Sequence, residues 1–326
     1  MLLYYTFVDM KNYTLNVFKN FKCINKNCKH SCCTLWEIDI DNRSLGKYRK
    51  VSSTFQQKLA HGIDYVNKCF KMNKNGKCYF LNNDGLCDII INLGDKYLCQ
   101  TCRDHPRFRN FFSKQVEFGI GLCCEEGTRM LLSFDKKIKS VFAFDDKKKI
   151  GTLSTSQQKF EKKVGSFRKN ALRVLSMELS FQDKIDKLIE ICGVDKDKFL
   201  SFNWKNKFLS LDRLTIDWSS HLQNANFEAA VNFDTEKYDI ELKLTNILYY
   251  FIYRNIPRTI DFTDLKSRLL FSVLSVYVIF AVYLGGIDNG LTLNDAVREY
   301  STEIEYSDDN FYKLLDILDN FTIKIK

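Results

Sequence analysis

A chain of 326 residues that is 45% hydrophobic can bury a full core, and its length suits two domains or one large one. A net charge of +9 predicts a solvated basic surface. Because no arginine-rich arm or zinc-finger motif is present, we expect no nucleic-acid partner. The N-terminus lacks signal-peptide features, and the apolar run 269–284 is too short for a membrane span. We therefore predict a cytoplasmic chain with no membrane partner, whose thiols stay reduced.

The first 135 residues contain many cysteines, glycines and turn residues, which predict short elements. Apolar and acidic residues alternate over 36–41, the period of a half-exposed strand. Asp41 or Asn42 is expected to cap the helix that follows.

Two hairpin turns are predicted between 73–77 and between 82–85, because Asn, Asp and Gly tolerate a positive φ. Cys78 and Cys87 flank the second turn closely. A hairpin that brings two thiols together is a common way to build half of a metal site.

Helical periodicity dominates the second half of the chain. The lysine-rich stretch 135–149 before it predicts an exposed turn or linker. One helix is expected to begin after Ser180 and end at Gly193. Helices are predicted from residue 125 and over 155–179, 181–192, 241–253, 265–284 and 309–318. The predicted fold is mainly α, with a cysteine-rich N-terminal domain of short strands and hairpins (1–135) packed on a C-terminal α-helical domain (150–326).

The cysteines of the first half form a pattern that disulfides explain poorly. Cys32 and Cys33 are adjacent and cannot easily bridge each other, since a disulfide needs a specific Cβ separation and torsion. Both can ligate one metal, or they can serve two neighbouring centres. The pattern is Cys23-x4-Cys28-x3-Cys32-Cys33, followed by Cys78, Cys87, Cys102 and Cys124.

Thiolates are soft ligands that select zinc or iron–sulfur clusters over hard cations. Paired zinc-type spacings occur only at Cys28-x3-Cys32 and at Cys99-x2-Cys102, and ferredoxin-type runs are absent. The sulfurs therefore suit either one cluster or two separate four-thiolate sites. Cys69 and Cys192 are interpreted as isolated buried thiols.

The cysteine pattern is part of a wider set of sequence motifs. Trp36 follows the adjacent cysteines, and Cys124 opens a Cys-Glu-Glu-Gly-x-Arg helix start. The segments that carry the pattern are 21–38, 78–87, 93–94, 101–107, 124–129, 245–251 and 300–307. Together they resemble the FliB family, the flagellin lysine N-methylases, which belong with the cysteine-cluster proteins.

The resemblance implies transfer of a methyl group from S-adenosylmethionine to lysine side chains of flagellin, the expected protein partner. It also implies a [4Fe–4S] cluster, with zinc as the alternative metal. A single cubane needs four ligands, so eight candidates are too many for one cluster. The candidates are Cys23, Cys28, Cys32, Cys33, Cys78, Cys87, Cys102 and Cys124.

Three residues in the segment 300–307 are candidate catalytic residues because they match a family motif: Glu303, Glu305 and Tyr306. The alternative is that they form an exposed acidic face on a helix. Lysine methylation needs an amine that has lost its proton, and the reference pKa of that amine is about 10.4. Relatives more often have His at the position of Tyr306, so the proton-accepting role is expected to fall to Glu305 or to be lost.

No G-x-G-x-x-G loop follows a strand, so the usual glycine loop for S-adenosylmethionine is absent from the sequence. The donor is therefore expected to bind in another way, with cluster iron as a ligand for its amino-carboxylate. A second function remains open: a non-catalytic zinc- or iron-binding module whose helical half binds a partner protein.

Overall fold

The computed structural model describes residues 5–151, 154–262 and 264–323. As predicted, the fold is mainly α, with short strands and hairpins in the N-terminal part. Numbered in chain order, the strands are β1 (Tyr5–Leu15), β2 (Ile38–Asp39), β3 (Ile63–Asp64), β4 (Cys69–Phe70), β5 (Arg107–Phe111), β6 (Gln115–Ile120) and β7 (Ser140–Gly151).

The helices account for most of the described chain. They are α1 (Asn42–Arg49), α2 (Gln56–Gly62), α3 (Asp88–Leu93), α4 (Gln100–Asp104), α5 (Glu125–Leu132), α6 (Thr155–Leu175), α7 (Phe181–Cys192), α8 (Lys196–Leu200), α9 (Trp204–Leu209), α10 (Ile216–Asn224), α11 (Phe227–Ala230), α12 (Glu241–Asn255), α13 (Asp264–Gly286), α14 (Leu293–Tyr300) and α15 (Asp308–Ile323). A π-helical turn, Ser301–Glu305, follows α14 directly.

The chain divides into two compact units, neither of which is one continuous segment. The cysteine-rich unit comprises Lys22–Phe108 and Cys124–Glu126. The helical unit comprises Met1–Phe21, Arg109–Cys123 and Gly127–Lys326, so it includes β1, β6 and β7.

In the cysteine-rich unit, β2, β4 and β3 form a small antiparallel sheet in that order. Asp41 caps α1, as predicted, by accepting a hydrogen bond from the Ser44 N–H at 2.9 Å. Its second oxygen accepts from the Gln100 N–H at 2.8 Å, so one carboxylate holds the first turns of both α1 and α4.

Both predicted hairpin turns are present. β-bridges join Met72 to Cys78 and Leu81 to Cys87, one across each turn. Gly76 and Gly85 adopt φ values of 66° and 74°, which only glycine takes at low cost. The turns therefore place Cys78 and Cys87 at the ends of successive hairpins.

β1, β6 and β7 of the helical unit belong to a four-stranded sheet in the order β5-β6-β1-β7, and the chain passes from one unit to the other within β5. β1 runs parallel to β6 and antiparallel to β7, with Tyr5 opposite Gly151 and Leu15 opposite Ser140. The prediction of an exposed turn or linker over 135–149 is therefore wrong for 140–149, whereas 135–139 form neither a strand nor a helix. Lysine has low strand propensity, but backbone pairing with a long neighbouring strand overrides that local preference.

The predicted helices of the second half are confirmed, and α13 lies at their centre. It contacts α7, α10, α11, α12, α14 and α15, which explains its apolar character on every side. The stretch Asp264–Asn289 is long and apolar enough to cross a membrane by length and composition alone. In the structure, however, 78% of its most apolar window is buried, as in a core helix.

Candidate functional site

All eight predicted metal ligands lie in the cysteine-rich unit. No disulfide links any cysteine in the part of the chain that the structure describes. The eight do not form one group, however. Exposure and packing divide them into two sets, which a hydrogen bond between the side chains of Cys32 and Cys33 joins.

The first set, called here the outer set, lies around Glu125. The Cys28 thiol donates a hydrogen bond to the Glu125 carboxylate at 3.6 Å. The same carboxylate oxygen accepts from the backbone N–H groups of Lys29 and His30 at 2.8 and 3.1 Å. The members are Cys23 and Cys32, which are exposed, and Cys28 and Cys124, which are partly buried.

Cys32 links the outer set to the core set, because its side chain hydrogen-bonds to that of Cys33. The charges of Cys23 and Cys124 act on Cys32 more weakly, and the charge of Cys124 also acts on Cys28. Burial raises the pKa of Cys28 to about 12, with Glu125 adding to the rise. As a bare thiol, Cys28 therefore stays protonated at neutral pH, and a cation would be needed to make it a thiolate.

The second set, called here the core set, packs in or against the hydrophobic core of the cysteine-rich unit. Its neighbours there include Ile38, Tyr48 and Phe80. None of the outer set belongs to this cluster. The members are Cys78 and Cys99, which are buried, and Cys33, Cys87 and Cys102, which are partly buried.

Cys33 is the common neighbour within the core set. Its charge acts on Cys78, Cys87 and Cys102. Its carbonyl also accepts a hydrogen bond from the Cys78 N–H at 2.8 Å, which ties the Cys32-Cys33 segment to the first hairpin. A hydrogen bond from the Cys32 thiol lowers the pKa of Cys33 to about 7.

The sequence pattern did not include Cys99 among the ligands. The structure buries it completely, at 0% exposure, and hydrogen-bonds its side chain to Cys102. The zinc-type Cys99-x2-Cys102 spacing was the signal that pointed to this pair. Cys69 has only carboxylates as electrostatic neighbours, and Cys192 is buried in α7, which fits their interpretation as isolated thiols.

The donor chemistry of both sets fits a soft metal ion or an iron–sulfur cluster, because sulfur predominates among the donors. As the side chains lie, no group of three or more His, Cys, Asp or Glu residues in the described chain is arranged closely enough to hold a metal ion. Side-chain hydrogen bonds join Cys32 to Cys33, across the two sets, and Cys99 to Cys102 within the core set.

The three candidate catalytic residues lie in the helical unit, on or just after the π-helical turn Ser301–Glu305. Such turns are rare and are often found at functional sites. Glu303 and Glu305 are buried, with exposures of 1% and 2%, so the alternative of an exposed acidic face is wrong for both.

Glu303 stabilises the start of α10. Its carboxylate accepts from the Leu214 N–H at 2.7 Å, and from the N–H and hydroxyl of Thr215 at 2.9 and 2.8 Å. Burial raises the pKa of Glu303, and these donors oppose that rise. Its contacts are those of a structural anchor between loop and helix.

Glu305 belongs to a separate buried network with Arg254 of α12. The Arg254 Nε lies 3.1 Å from Glu305 Oε1. Tyr250 donates its hydroxyl to Glu305 at 3.0 Å, and Ser301 donates its hydroxyl at 2.5 Å. The Tyr250 hydroxyl in turn accepts from Arg254 at 2.9 Å. The network thus pairs one buried cation with one buried anion, as burial of charges requires.

Tyr306 covers this network and remains partly exposed. The Arg254 guanidinium donates to its hydroxyl at 3.2 Å and lies 4.5 Å from its ring centre. Burial raises the pKa of Tyr306, although the nearby Arg254 cation favours the phenolate. Tyr306 is therefore a neutral phenol at physiological pH. Gly121 permits this position, because a Cβ there would lie 1.9 Å from the Tyr306 hydroxyl.

The sequence motifs included Tyr250 but not Arg254. The available signal was their i, i+4 spacing, which places both on one face of α12. Two open clefts lie elsewhere in the helical unit. One, of about 540 Å³, includes Lys137, Lys139, Arg168, Lys169 and Arg173 in its wall, and the other, of about 510 Å³, includes Arg129, Lys243 and Tyr283.

Comparison with curated proteins finds similar proteins from Salmonella. The chain is 28% identical over 124 residues to the lysine-N-methylase of Salmonella choleraesuis, a match that covers 35% of this chain and 30% of that protein. The lysine-N-methylase of Salmonella typhimurium is 28% identical over 123 residues, with the same coverage. The flagellar biosynthetic protein FliU of Salmonella muenchen is 26% identical over 124 residues, which cover 35% of this chain and 72% of FliU.

No protein-family model and no solved structure matches the chain. The match spans 30% of the length of the two lysine-N-methylases. Over about a third of its own length the chain is thus similar to the FliB-type lysine-N-methylases, and the resemblance predicted from the sequence is confirmed there.

Proposed function

We propose that this chain is a cytoplasmic, S-adenosylmethionine-dependent lysine N-methyltransferase that modifies flagellin and carries an iron–sulfur centre on its cysteine-rich unit. The observation that carries the proposal is the similarity to two proteins named lysine-N-methylase. The flagellar name of the third relative supports flagellin as the substrate.

The proposed reaction is a direct displacement. The lysine Nζ forms a bond to the methyl carbon as the bond from that carbon to sulfur breaks, and S-adenosylhomocysteine leaves. The amine must first lose a proton to a base or to water, because its reference pKa is about 10.4. A site that desolvates the amine lowers that pKa and favours the neutral nucleophile.

Within this scheme Tyr306 is the candidate that touches substrate, since it alone of the three predicted residues is partly exposed. Its neutral hydroxyl can accept a hydrogen bond from the amine. Glu305 is proposed as a positioning residue, because it holds Arg254 and Tyr250 while Arg254 holds Tyr306. Glu303 anchors the same turn to α10.

The cysteines of the outer and core sets would hold the metal centre. When bound, an iron–sulfur cluster with an open iron position would supply a Lewis acid for the amino-carboxylate of the methyl donor. Zinc in four-thiolate coordination would supply folding energy alone. Thiolate ligands suit either metal.

The test is methylation of flagellin by the intact chain. Flagellin is co-expressed with the chain in a host that lacks lysine methylation of flagellin, and the product is examined by peptide mass spectrometry. We expect methyl-sized mass shifts on flagellin lysines, and about a tenfold to hundredfold lower rate for Tyr306→Phe. Cys69→Ser is the matched control and should leave methylation unchanged. Unmethylated flagellin in the presence of metal-loaded chain would contradict the proposal.

A non-catalytic metal-binding module is the second candidate. Two observations favour it. Donors within the protein already occupy the carboxylates of Glu303 and Glu305, and the match covers only 30% of the lysine-N-methylase of Salmonella choleraesuis. Anaerobic purification separates the two functions. A brown chain with visible charge-transfer absorption supports the methyltransferase, and a colourless chain with stoichiometric zinc supports the module.

A further inference from the structure

Positive charge lines one open cleft of the helical unit, the cleft of about 540 Å³. Its wall includes no aspartate or glutamate in the part of the chain that the structure describes. Like charges gathered around a cleft create a potential that attracts anions. The five cationic side chains come from the loop before β7 and from the second half of α6: Lys137, Lys139, Arg168, Lys169 and Arg173.

The three cations of α6 are not equivalent. Lys169 and Arg173 are exposed, and their spacing of four residues places them on one face of the helix. The Arg168 guanidinium instead donates to both carboxylate oxygens of Glu117, at 2.5 and 2.6 Å. Glu117 therefore neutralises Arg168. The other four cations have no counter-ion in the described wall of the cleft.

The loop that carries Lys137 and Lys139 has no regular structure, but side chains fix its backbone. Asn246 of α12, which is 1% exposed, accepts a hydrogen bond from the Ile138 N–H at 3.0 Å. Asn16 accepts from the Lys139 N–H at 3.0 Å. Specific contacts of the folded chain thus hold the backbone of both lysines beside the cleft.

These contacts give a role to part of the sequence motif 245–251 that the proposed reaction does not use. Asn246 fixes the loop, and Tyr249 lines the cleft. The Tyr249 hydroxyl also accepts from the Ser140 N–H at 3.2 Å. Both side chains of the motif therefore shape the basic cleft.

The available donors favour carboxylates over phosphate as the bound anion. Proteins commonly bind phosphate through backbone N–H groups, at helix N-termini or in loop nests. Here the N–H groups of residues 138–140 already donate to side chains. The helix α6 contributes its second half, away from its N-terminus. What remains for a ligand is a set of separate side-chain charges.

The position of the cleft favours a polypeptide as the ligand. Ser140, the residue after Lys139, is the first residue of β7, and β7 is the last strand in the order β5-β6-β1-β7. An edge strand presents backbone groups with which an extended chain can pair. A polypeptide at the start of this edge would place its side chains beside the cleft.

We propose that this cleft binds an acidic segment of a partner protein. The aspartate and glutamate side chains of that segment pair with Lys137, Lys139, Lys169 and Arg173. Such charge complementarity accelerates association and selects acidic partners. The inference does not rest on methyl transfer, because binding of an acidic peptide is measured without flagellin and without a methyl donor.

The experiment measures binding of a fluorescein-labelled decaglutamate peptide to the full chain by fluorescence anisotropy. We expect saturable binding that weakens as salt is added, since salt screens exposed charges. Lys169→Glu with Arg173→Glu should weaken binding about tenfold or more. The matched control is Lys159→Glu with Lys162→Glu, which changes two exposed lysines of α6 outside the cleft. It alters the net charge equally and should weaken binding less than about twofold.

A second variant guards against an effect of misfolding. Lys137→Glu with Lys139→Glu changes the loop instead of the helix and should weaken binding to a similar extent, with thermal melting unchanged. Three results would overturn the proposal. The first is no binding of decaglutamate to the unmodified chain, and the second is an equal loss of affinity in the control. The third is tighter binding of ATP or of a single-stranded oligodeoxynucleotide that the cleft variants abolish, because the ligand would then carry phosphate.

Discussion

At the scale of single residues, Arg254 and Glu305 show how the helical unit tolerates charge in its interior. Each is almost completely buried, and the two side chains neutralise each other. Tyr250 and Ser301 donate further hydrogen bonds to the carboxylate. Such a network costs desolvation energy, but removing one member costs more, because the other charge is left buried and unpaired.

Replacing Glu305 with Gln tests this arrangement. We expect the free energy of unfolding to fall by about 3 kcal/mol, since Arg254 loses its counter-ion in a buried place. Urea denaturation followed by far-ultraviolet circular dichroism measures the change. Glu303→Gln is the matched control and should cost about 1 kcal/mol, because its partners are neutral donors. Equal losses in the two variants would refute the role of the ion pair.

Gly121 and Tyr306 provide a second test. A methyl group at Gly121 would overlap the Tyr306 ring and hydroxyl, so Gly121→Ala should destabilise the helical unit by about 1–3 kcal/mol. Combining it with Tyr306→Leu removes the obstructing ring. The double variant should therefore be less destabilised than the sum of the two single variants. Strict additivity would show that the two residues do not compete for space.

At the scale of elements, the sequence predicted what depends on local signals. The Asp41 cap, the glycines of both hairpins, the Ser180 cap and the Gly193 terminus of α7 all lie where expected. β7 could not be predicted from the sequence. Its lysine-rich sequence is typical of a linker, and its partner strand β1 lies far away along the chain. The packing of the cysteines also needed the structure, since spacing cannot show that Cys33 packs against the hydrophobic core while Cys32 does not belong to that cluster.

Two glycines of the cysteine-rich unit should respond oppositely to the same change. Gly85 has a positive φ in its hairpin turn, so Gly85→Ala should cost about 1 kcal/mol. Gly46 lies within α1 with open space around it, so Gly46→Ala should stabilise by roughly 0.5–1 kcal/mol. Hydrogen exchange of peptides from residues 22–108 measures both. Effects of the same sign would contradict the turn geometry.

At the scale of the whole molecule, the two units differ in what stabilises them. The helical unit buries a long apolar helix, α13, among the helices packed around it. The cysteine-rich unit is smaller and combines short elements with a modest core that includes thiols. Small domains bury less of their surface and often need metals or other cross-links to stay folded. The stability of the cysteine-rich unit should therefore depend on bound metal more than the stability of the helical unit does.

Metal removal tests this difference directly. Anaerobic treatment with a chelator should increase amide hydrogen exchange throughout residues 22–108, because the binding energy of a structural metal is also folding energy. Peptides from α12 and α13 should keep their protection, since burial among helices holds them. Restoring iron or zinc to the reduced chain should restore the protection of residues 22–108. Unchanged exchange in that segment after complete metal loss would mean that the apolar core alone folds the unit and that the thiols have no structural role.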